Sequence, residues 1–590
     1  MAMSPESAPL PLTPLRKRWL VAAICVALTL ATLLVFGQAV RCGFITFDDN
    51  EFVQNVPGFE LGLTWRGVVW AFTTNLTHSS DHAEYWMPLT LLSRLADDRM
   101  YGDWAGGYHL TSVLLHLATG LALFAALRRL TGTLWRSALV AALFLVHPMH
   151  VEPVMWLAAR KDLVNALFYV LTLWAYGWYV ARPGWRRYLV IFAAALASNM
   201  GKPMGVSLPC VLLLFDFWPL QRWPGKGGDG VRQGVRLLIE KVPLVLLTIG
   251  VALLAFVAQK ELGAVDADET LPLPWRLGNA ALCLGIYEVK AFVPVNLVFF
   301  YVHPGLNLNV PLAILGGVGA LLLVGLAFWQ WRRRPWLTMG ILWLLVVLGP
   351  VLEIIKLGDQ AMADRYTYLS FIGLFVAVVW QVEEWLHALP EPRRKMVGWI
   401  LGGSAVAGCM GVSFFQAQTW RTSETVYRHA LAVNPANYVA QYNLGAALWE
   451  SGRREEAMLH FRQAVRLREP NLRRQLAVAE AAAQRGAYPE AILSMTRVLM
   501  LMPWRADLHH QLGSWLAFNH EPGKALAEFA AALKYRPDWT QPRVSIAAVL
   551  LGEGQTAKAE GILRDVLKRE PANADAQAML ETLQNSRVPR

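Results

Sequence analysis

Long runs of apolar residues dominate the first 415 positions of this 590-residue chain. A helix of about 20 such residues spans the roughly 30 Å hydrocarbon core of a bilayer. The chain is 55% hydrophobic and only 16% charged, which is typical of a polytopic membrane protein. Runs of sufficient length lie at 19–40, 108–127, 137–157, 163–181, 187–201, 204–220, 242–258, 311–331, 337–355, 366–386 and 396–415. We therefore predict an all-α chain with a membrane domain of about eleven transmembrane helices over 19–415.

The formal charge of +11 reflects the placement of basic residues between alternate apolar runs. These clusters lie at 16–18, 128–136, 182–187, 222–241, 332–334 and 393–395. An excess of Lys and Arg marks cytoplasmic loops, so the tail 1–18 is predicted to be cytoplasmic. The charge thus reports topology and does not indicate a nucleic-acid partner.

The segment 276–303 is apolar but carries Glu288 and Lys290 in its middle. A crossing there would move the cluster 332–334 to the outer face. We therefore predict an outer interfacial or re-entrant helix, preceded by an acidic loop at 261–269. Eleven crossings then leave the C-terminus outside.

A repeat of about 34 residues occupies the remaining part of the chain. Prolines recur at 35-, 33-, 34- and 34-residue intervals, at Pro435, Pro470, Pro503, Pro537 and Pro571. Leu444-Gly445, Ala457 and Phe461 return as Leu512-Gly513, Ala525 and Phe529, and weaker copies have alanine at the glycine position, Ala479 and Ala547. This pattern resembles the tetratricopeptide repeat. It predicts an α-solenoid over 420–585, with four repeats at 438–573 in which each proline stops the second helix.

Under the predicted topology, ionisable residues gather at the outer face. The first outer loop, 41–107, carries Asp48 and Asp49 directly after the first span. The others are His147, His150, Glu152, Arg160, Lys161, Asp162, Lys202, Asp364 and Arg365, with Tyr366 beside the last. Charges near membrane segments are costly and indicate function, so these residues suggest one site.

Short motifs in a characteristic order support this interpretation. They are Phe47-Asp48-Asp49-Asn50, Gly107-Tyr108-His109-Leu110, Leu115-His116, His147-Pro148-Met149-His150-Val151-Glu152, Arg160-Lys161-Asp162, Gly201-Lys202-Pro203, Leu214-Phe215-Asp216 and Ala363-Asp364-Arg365-Tyr366-Thr367-Tyr368. With the repeats they cover nearly the whole chain. The chain resembles the transmembrane and tetratricopeptide-repeat (TMTC) O-mannosyltransferases of the GT-C glycosyltransferase superfamily.

The resemblance implies that a sugar, mannose in the family, passes from a polyprenyl-phosphate donor to a Ser or Thr hydroxyl of an acceptor protein presented by the repeats. Asp48 or Asp49 would be the general base, and the sequence does not distinguish them. Arg160, Lys161, Lys202 and Arg365 would bind the donor phosphate. Glu152 would be a second acidic residue, and His147, His150, Asp162, Asp364 and Tyr366 would support the site.

Other interpretations stay open at this point. Adjacent aspartates are commonly turn residues, and Arg160-Lys161-Asp162 and Asp364-Arg365 are compatible with ordinary ion pairs. His147, His150 and Glu152 are possible ligands of a divalent metal, although no cofactor is predicted. The acceptor is alternatively a lipid or surface glycan, or the chain is a non-catalytic membrane scaffold that displays a repeat domain.

The compartment is inferred from a single feature. One glycosylation sequon, Asn75-Leu76-Thr77, is present, and none lies in the repeats. This favours a bacterial inner membrane, with the repeats in the periplasm, over an endoplasmic-reticulum lumen.

Overall fold

A computed structural model describes residues 14–585, apart from 55, 57, 75–85, 224–227, 262–270 and 355–358. The predicted acidic loop at 261–269 and the sequon at 75–77 therefore lie almost wholly outside the described residues. The chain divides into two compact units, 1–435 and 436–590. The described residues are mostly helical with very little strand, which confirms the predicted all-α class.

The first unit contains sixteen α-helices among its described residues. Their bounds are α1 Pro14–Phe36, α2 Trp65–Thr73, α3 Pro88–Tyr101, α4 Ala105–Thr131, α5 Leu134–Val146, α6 Val151–Met155, α7 Arg160–Ala181, α8 Trp185–Gly201, α9 Leu208–Phe217, α10 Gly228–Glu261, α11 Leu273–Lys290, α12 Val310–Gln330, α13 Pro335–Leu348, α14 Thr367–Leu386, α15 Glu391–Gln418 and α16 Ser423–Val433. A two-stranded antiparallel pair, β1 Tyr301–Val302 and β2 Gln360–Met362, pairs Tyr301 with Met362.

The predicted count of eleven membrane spans is not confirmed. Seven described segments are long and apolar enough to span a membrane, and they include α1, α4, α7, α10, α12, α14 and α15. An eighth is possible if α5 and the segment Pro148–Met155, bent by 56°, form one span. Several predicted spans form helices that are shorter than the span criteria require. Gly205–Phe217 and Pro335–Val351 are shorter apolar helices, and α8 has 17 residues.

The segment 276–303, predicted as an outer interfacial helix, is helical only in its first part. That part belongs to α11, which ends at Lys290 and is not among the helices that satisfy the span criteria, and the rest of the segment is non-helical and contains β1. One face of α11 donates hydrogen bonds to the chain just before α14. Asn279 and Cys283 donate to the carbonyl of Ala361, and Tyr287 donates to that of Ala363. These bonds place α11 beside β2, at the start of the predicted tenth span. Its position relative to the membrane stays a prediction.

The Leu214-Phe215-Asp216 motif belongs to a charged network that joins α7, α9 and α10. Arg222 and Lys241 each donate to Asp216, at 2.9 and 2.8 Å, and each also binds Glu240. Tyr176 donates to Asp216 at 2.5 Å. Two acids meet two bases here, so the network is neutral and fully hydrogen-bonded, which is the arrangement that buried charges require.

The second unit is a stack of antiparallel helices. They are α17 Tyr438–Glu450, α18 Arg454–Gln484, α19 Tyr488–Leu501, α20 Ala506–Phe518, α21 Pro522–Tyr535, α22 Gln541–Gly552, α23 Thr556–Arg569 and α24 Ala574–Asn585. Small residues in these helices let their partners approach closely. At Gly445 an added Cβ would lie 2.8 Å from the ring of Phe461, and at Gly513 it would lie 2.6 Å from that of Phe529.

The prediction that every repeat proline ends a helix is wrong at one position. The structure continues α18 through position 470, so the second helix of the first repeat and the first helix of the second are one helix of 31 residues. A proline inside a helix removes one main-chain hydrogen bond but does not forbid continuation when neighbours stabilise it. After the other repeat prolines, helices start again within four residues, at Tyr438, Ala506, Gln541 and Ala574.

The close packing of Gly513 on Phe529 gives a test of the repeat core. We expect Gly513→Ala to destabilise the repeat unit by about 1–3 kcal/mol, because the new methyl group overlaps the buried ring. Amide hydrogen exchange of peptides from 506–535 in the full chain measures this change. Gly561→Ala is the matched control, since a Cβ there has open space, and it should instead stabilise α23 by about 0.5–1 kcal/mol. Equal protection in both variants would contradict the described packing.

Candidate active site

The adjacent acids of the first outer loop have different environments. Asp49 is completely buried, and its carboxylate accepts two main-chain hydrogen bonds. The amide of Ile45 donates to Oδ2 at 2.8 Å, and that of Ala158 donates to Oδ1 at 2.9 Å. Asp49 therefore fastens the loop to the chain just before α7, and both of its oxygens are engaged in that role.

Asp48 is partly exposed and has a left-handed backbone conformation, with φ of 66°. A residue other than glycine seldom adopts this conformation, although aspartate tolerates it better than most. The preceding residue, Phe47, is held by a 3.0 Å hydrogen bond from the Trp156 indole N–H to its carbonyl. The loop is thus fixed on both sides of Asp48. Of the two acids, only Asp48 is partly accessible to solvent.

A buried ion pair lies next to this loop. The guanidinium of Arg365 contacts Oε1 of Glu152, and the Arg365 amide donates to Oε2 at 2.9 Å. Arg365 also donates to Oε1 of Gln360 at 2.9 Å. Its guanidinium lies 5.0 Å from the ring centroid of Trp156, whose ring also contacts Phe47 at 5.5 Å. Trp156 therefore joins the Asp48 loop to the Glu152–Arg365 pair.

Two lysines complete a positively charged group. Lys202 binds Oδ1 of Asp162 at 2.7 Å and lies 5.9 Å from the ring centroid of Tyr366. Burial lowers the pKa of Lys202, Asp162 opposes that change, and the charges of Arg365 and Lys161 lower the pKa further. Arg365 and Lys161 are thus each close enough to Lys202 to repel it. An anion between them would relieve this repulsion.

Asp364 lies in a separate hydrogen-bond chain beside the ion pair. Tyr301 on β1 donates to Oδ1 of Asp364 at 2.8 Å, and Lys290 at the end of α11 donates to the Tyr301 hydroxyl at 3.0 Å. Lys290 also binds the carbonyl of Asn296 at 2.9 Å. Asp364 therefore positions the start of α14. Sequence reasoning did not assign Tyr301, Trp156 or Gln360 to the site, and the charge of Lys290 in an apolar segment was the one available signal.

Arg160 does not join the group of cations in the way the sequence predicted. Only 1% of its side chain is exposed, and it forms a 2.7 Å ion pair with Asp97 on α3. It also donates to Ser112 at 3.0 Å and to the carbonyl of Tyr108 at 2.6 Å. A guanidinium with these partners ties α3, α4 and α7 together. This geometry disfavours its predicted role in binding donor phosphate.

The two histidines are buried hydrogen-bonding residues. Nε2 of His147 binds the carbonyl of Ala291 at 3.1 Å, and its Nδ1 accepts from the Met149 amide at 3.3 Å. Nδ1 of His150 binds the carbonyl of Phe144 at 2.7 Å. They therefore support the bend between α5 and α6. Within the described residues, no group of three or more His, Cys, Asp or Glu side chains could hold a metal ion.

The arrangement combines three elements of group-transfer chemistry. An accessible carboxylate, Asp48, can accept a proton. Three cations, Lys161, Lys202 and Arg365, can stabilise an anionic group. A second carboxylate, Glu152, contacts the guanidinium of Arg365 with Oε1 and accepts from its main-chain amide with Oε2, and so fixes where the guanidinium lies.

We expect Asp49→Asn to destabilise the protein by about 1–3 kcal/mol, because the new amide group presents N–H to one of two buried N–H donors. Asp48→Asn is the control, since asparagine also tolerates positive φ. Thermal unfolding in detergent, followed by intrinsic fluorescence, measures both. Equal melting temperatures for the two variants would show that Asp49 is not the structural member of the pair.

The pH dependence of stability gives a second test of Asp49. Burial raises its pKa from 3.8 to about 7. Between about pH 4 and pH 7 the folded protein keeps a proton on Asp49 that the unfolded chain has lost. The protonated carboxyl therefore contributes stability that is complete below about pH 4 and is lost as the pH rises through about 7. We expect the melting temperature of the wild type, relative to Asp49→Asn, to fall between about pH 4 and pH 8. A difference that does not change with pH contradicts the raised pKa.

Comparison with known proteins gives relatives over most of the chain. Mouse and human "Protein O-mannosyl-transferase TMTC4" are each 24% identical over 73% of the chain, and the matches cover 64% and 65% of those relatives. Mouse "Protein O-mannosyl-transferase TMTC3" is 21% identical over 92% of the chain. The resemblance to TMTC O-mannosyltransferases is thereby confirmed as a similarity, and the chain spans just under two thirds of the TMTC4 proteins.

Two other comparisons add less. No family model matches the chain. The solved structure "Crystal structure of MamA protein" matches 26% of the chain and 83% of its own chain at 20% identity, with a TM-score of 0.17. That score is too low to define a shared fold.

Proposed function

We propose that this TMTC-like integral membrane protein is a GT-C type glycosyltransferase. It moves a sugar, mannose by the family resemblance, from a polyprenyl-phosphate donor to a Ser or Thr hydroxyl of an acceptor protein on the outer face. The observation that carries the proposal is that Trp156 links the loop of Asp48 to the guanidinium of Arg365, while Lys161 and Arg365 both lie close enough to Lys202 to lower its pKa. The names of the relatives support the same class of reaction.

In the proposed reaction, Asp48 takes the proton of the acceptor hydroxyl as its oxygen attacks the anomeric carbon. The bond between that carbon and the phosphate oxygen breaks, and the lipid phosphate departs with the electron pair. The leaving group is already an anion, so it needs positive charge and no proton donor. Lys161, Lys202 and Arg365 supply that charge. A single displacement inverts the configuration at the anomeric carbon.

Arg365 is the best-oriented of the three cations. One terminal nitrogen of its planar guanidinium contacts Glu152, the other donates to Gln360, and Trp156 lies against one face. A guanidinium fixed in this way can offer a further N–H to a phosphate oxygen without losing side-chain freedom on binding. Lys202 is held by its ion pair with Asp162, so it loses less side-chain freedom on binding an anion than an exposed lysine does, and Lys161 adds a further positive charge.

The proposed location follows from charge placement. Basic clusters between alternate spans favour an N-terminus in the cytoplasm, and the sequon distribution favours a bacterial inner membrane with the repeats in the periplasm. The repeats would present the acceptor protein to the catalytic unit. No cofactor and no nucleic-acid partner is required by this chemistry.

We expect Asp48→Asn to reduce the rate of sugar transfer by about 10²- to 10⁴-fold without lowering the melting temperature, because it removes the base and keeps the loop geometry. The assay uses purified full chain, polyprenyl-phosphate mannose and Ser/Thr-containing peptides. Glu51→Gln, an exposed acid three positions away on the same loop, is the matched control.

The assay also separates the alternatives. Transfer by the Asp48→Asn variant at the wild-type rate rejects Asp48 as the base. Transfer to glycolipid but not to peptide assigns a lipid or surface-glycan acceptor. A wild-type protein that transfers nothing to either acceptor is better described as a scaffold.

A further inference from the structure

A groove between α1, α4 and α7 lies away from the candidate active site. Its volume is about 410 Å³. One part of its wall is apolar, formed by Val21, Cys25, Leu121 and Ala125, and the other part carries Arg128 and Arg129. The groove therefore combines an apolar channel with two guanidinium groups.

Both guanidiniums belong to the last turn of α4 and lie against aromatic rings. That of Arg128 lies 6.0 Å from the ring centroid of Phe124, one turn nearer the helix start, and that of Arg129 lies 5.4 Å from the ring centroid of Trp174 on α7. Helical side chains lean toward the N-terminus, so the geometry is an ordinary one. It places two positive charges about one turn inside the end of a candidate membrane span, Ala105–Thr131.

The packing of α4 on α7 fixes one of these arginines. A Cβ added to Gly177 would lie 3.4 Å from Cδ of Arg129 and 2.9 Å from Cδ2 of Leu130. Because Gly177 has no side chain, the aliphatic part of the Arg129 side chain fits between the two helices. The residues that line the groove include no acidic side chain, so the groove itself supplies no counter-ion within the part of the chain that the structure describes.

Each of the three helices that line the groove has a basic cluster at one end or just beyond it. The clusters are 16–18 at the start of α1, Arg128 and Arg129 at the end of α4, and 182–187 after α7. By the predicted topology this is the cytoplasmic boundary, where anionic lipid headgroups accumulate. A phosphate there would neutralise the two guanidiniums, and an acyl chain would cover the apolar wall. Basic pockets between spans on this side bind anionic headgroups in general.

We propose that this groove binds one anionic phospholipid of the cytoplasmic leaflet. The phosphate lies between Arg128 and Arg129, and an acyl chain runs along Val21, Cys25 and Leu121 toward the membrane centre. The lipid fills the space between α1 and α7 and acts as a structural ligand. This site is independent of the proposed sugar transfer.

Native mass spectrometry of the full chain in detergent, titrated with phosphatidylglycerol or phosphatidylcholine, tests the site. We expect one phosphatidylglycerol adduct that survives detergent exchange. Arg128→Gln combined with Arg129→Gln should weaken it about tenfold, because both phosphate partners are lost. The matched control, Arg332→Gln with Arg333→Gln, removes two charges from another predicted cytoplasmic cluster and should leave the adduct unchanged. An equal loss in the control, no loss in the first variant, or equal retention of phosphatidylcholine overturns the proposal.

Two further arms complete the test. Ala125→Phe fills the apolar wall while both arginines stay, so it should also remove the adduct, and it carries the test if the double arginine variant does not fold. Glycerol phosphate added in excess should not displace the lipid, because it lacks the acyl chain. Displacement by glycerol phosphate shows that a soluble phosphate is bound and overturns the assignment to a phospholipid.

Discussion

The candidate site depends on one buried ion pair, Glu152 with Arg365. The two residues are 213 positions apart in the chain, and the pair joins α6 to the segment that begins α14. Removing a carboxylate and a guanidinium from water is costly, and the cost is recovered only when geometry is good and the remaining polar atoms are satisfied. Here the Arg365 amide and Gln360 provide the additional hydrogen bonds. The pair therefore fixes where Arg365 lies relative to every other candidate residue.

The adjacent carboxylates of the first loop illustrate how burial divides similar residues into different roles. Asp49 accepts hydrogen bonds from the main-chain amides of Ile45, in its own loop, and of Ala158, just before α7, and it is inaccessible to solvent. Asp48 remains partly exposed because its left-handed backbone turns the chain between Phe47 and Asp49. The hydrogen bonds of Asp49 and the hydrogen bond from Trp156 to Phe47 stabilise the loop and so offset the strain of that conformation. A structural aspartate thus supports the neighbour that is proposed to act as base.

The same division separates the cations. Arg160 is adjacent to Lys161 in sequence, yet it faces Asp97 and Ser112, whereas Lys161 faces Phe52 in the Asp48 loop at 5.7 Å. Consecutive residues of a helix point about 100° apart, so one of them can join helices while the next faces a cleft. Lys202 reaches the same group from the end of α8. The site therefore draws one or two residues from each of several distant segments.

The sequence by itself determined which structural units the molecule contains. These are an all-α membrane unit and a helical repeat unit, together with a set of charged residues expected at one face. Apolar run length and the 34-residue period carry this information because each depends on local spacing. The lengths of the apolar runs predicted eleven spans, but several of these runs form helices that are short or bent, and that count is not confirmed. The spacing of the prolines likewise did not reveal that α18 continues through position 470. Only the tertiary structure decided that Asp49, Arg160 and the histidines are structural and that Trp156, Tyr301 and Gln360 adjoin the site. The reason is physical: burial and hydrogen-bond partners come from segments far apart in the chain, and residue type and local spacing do not encode them.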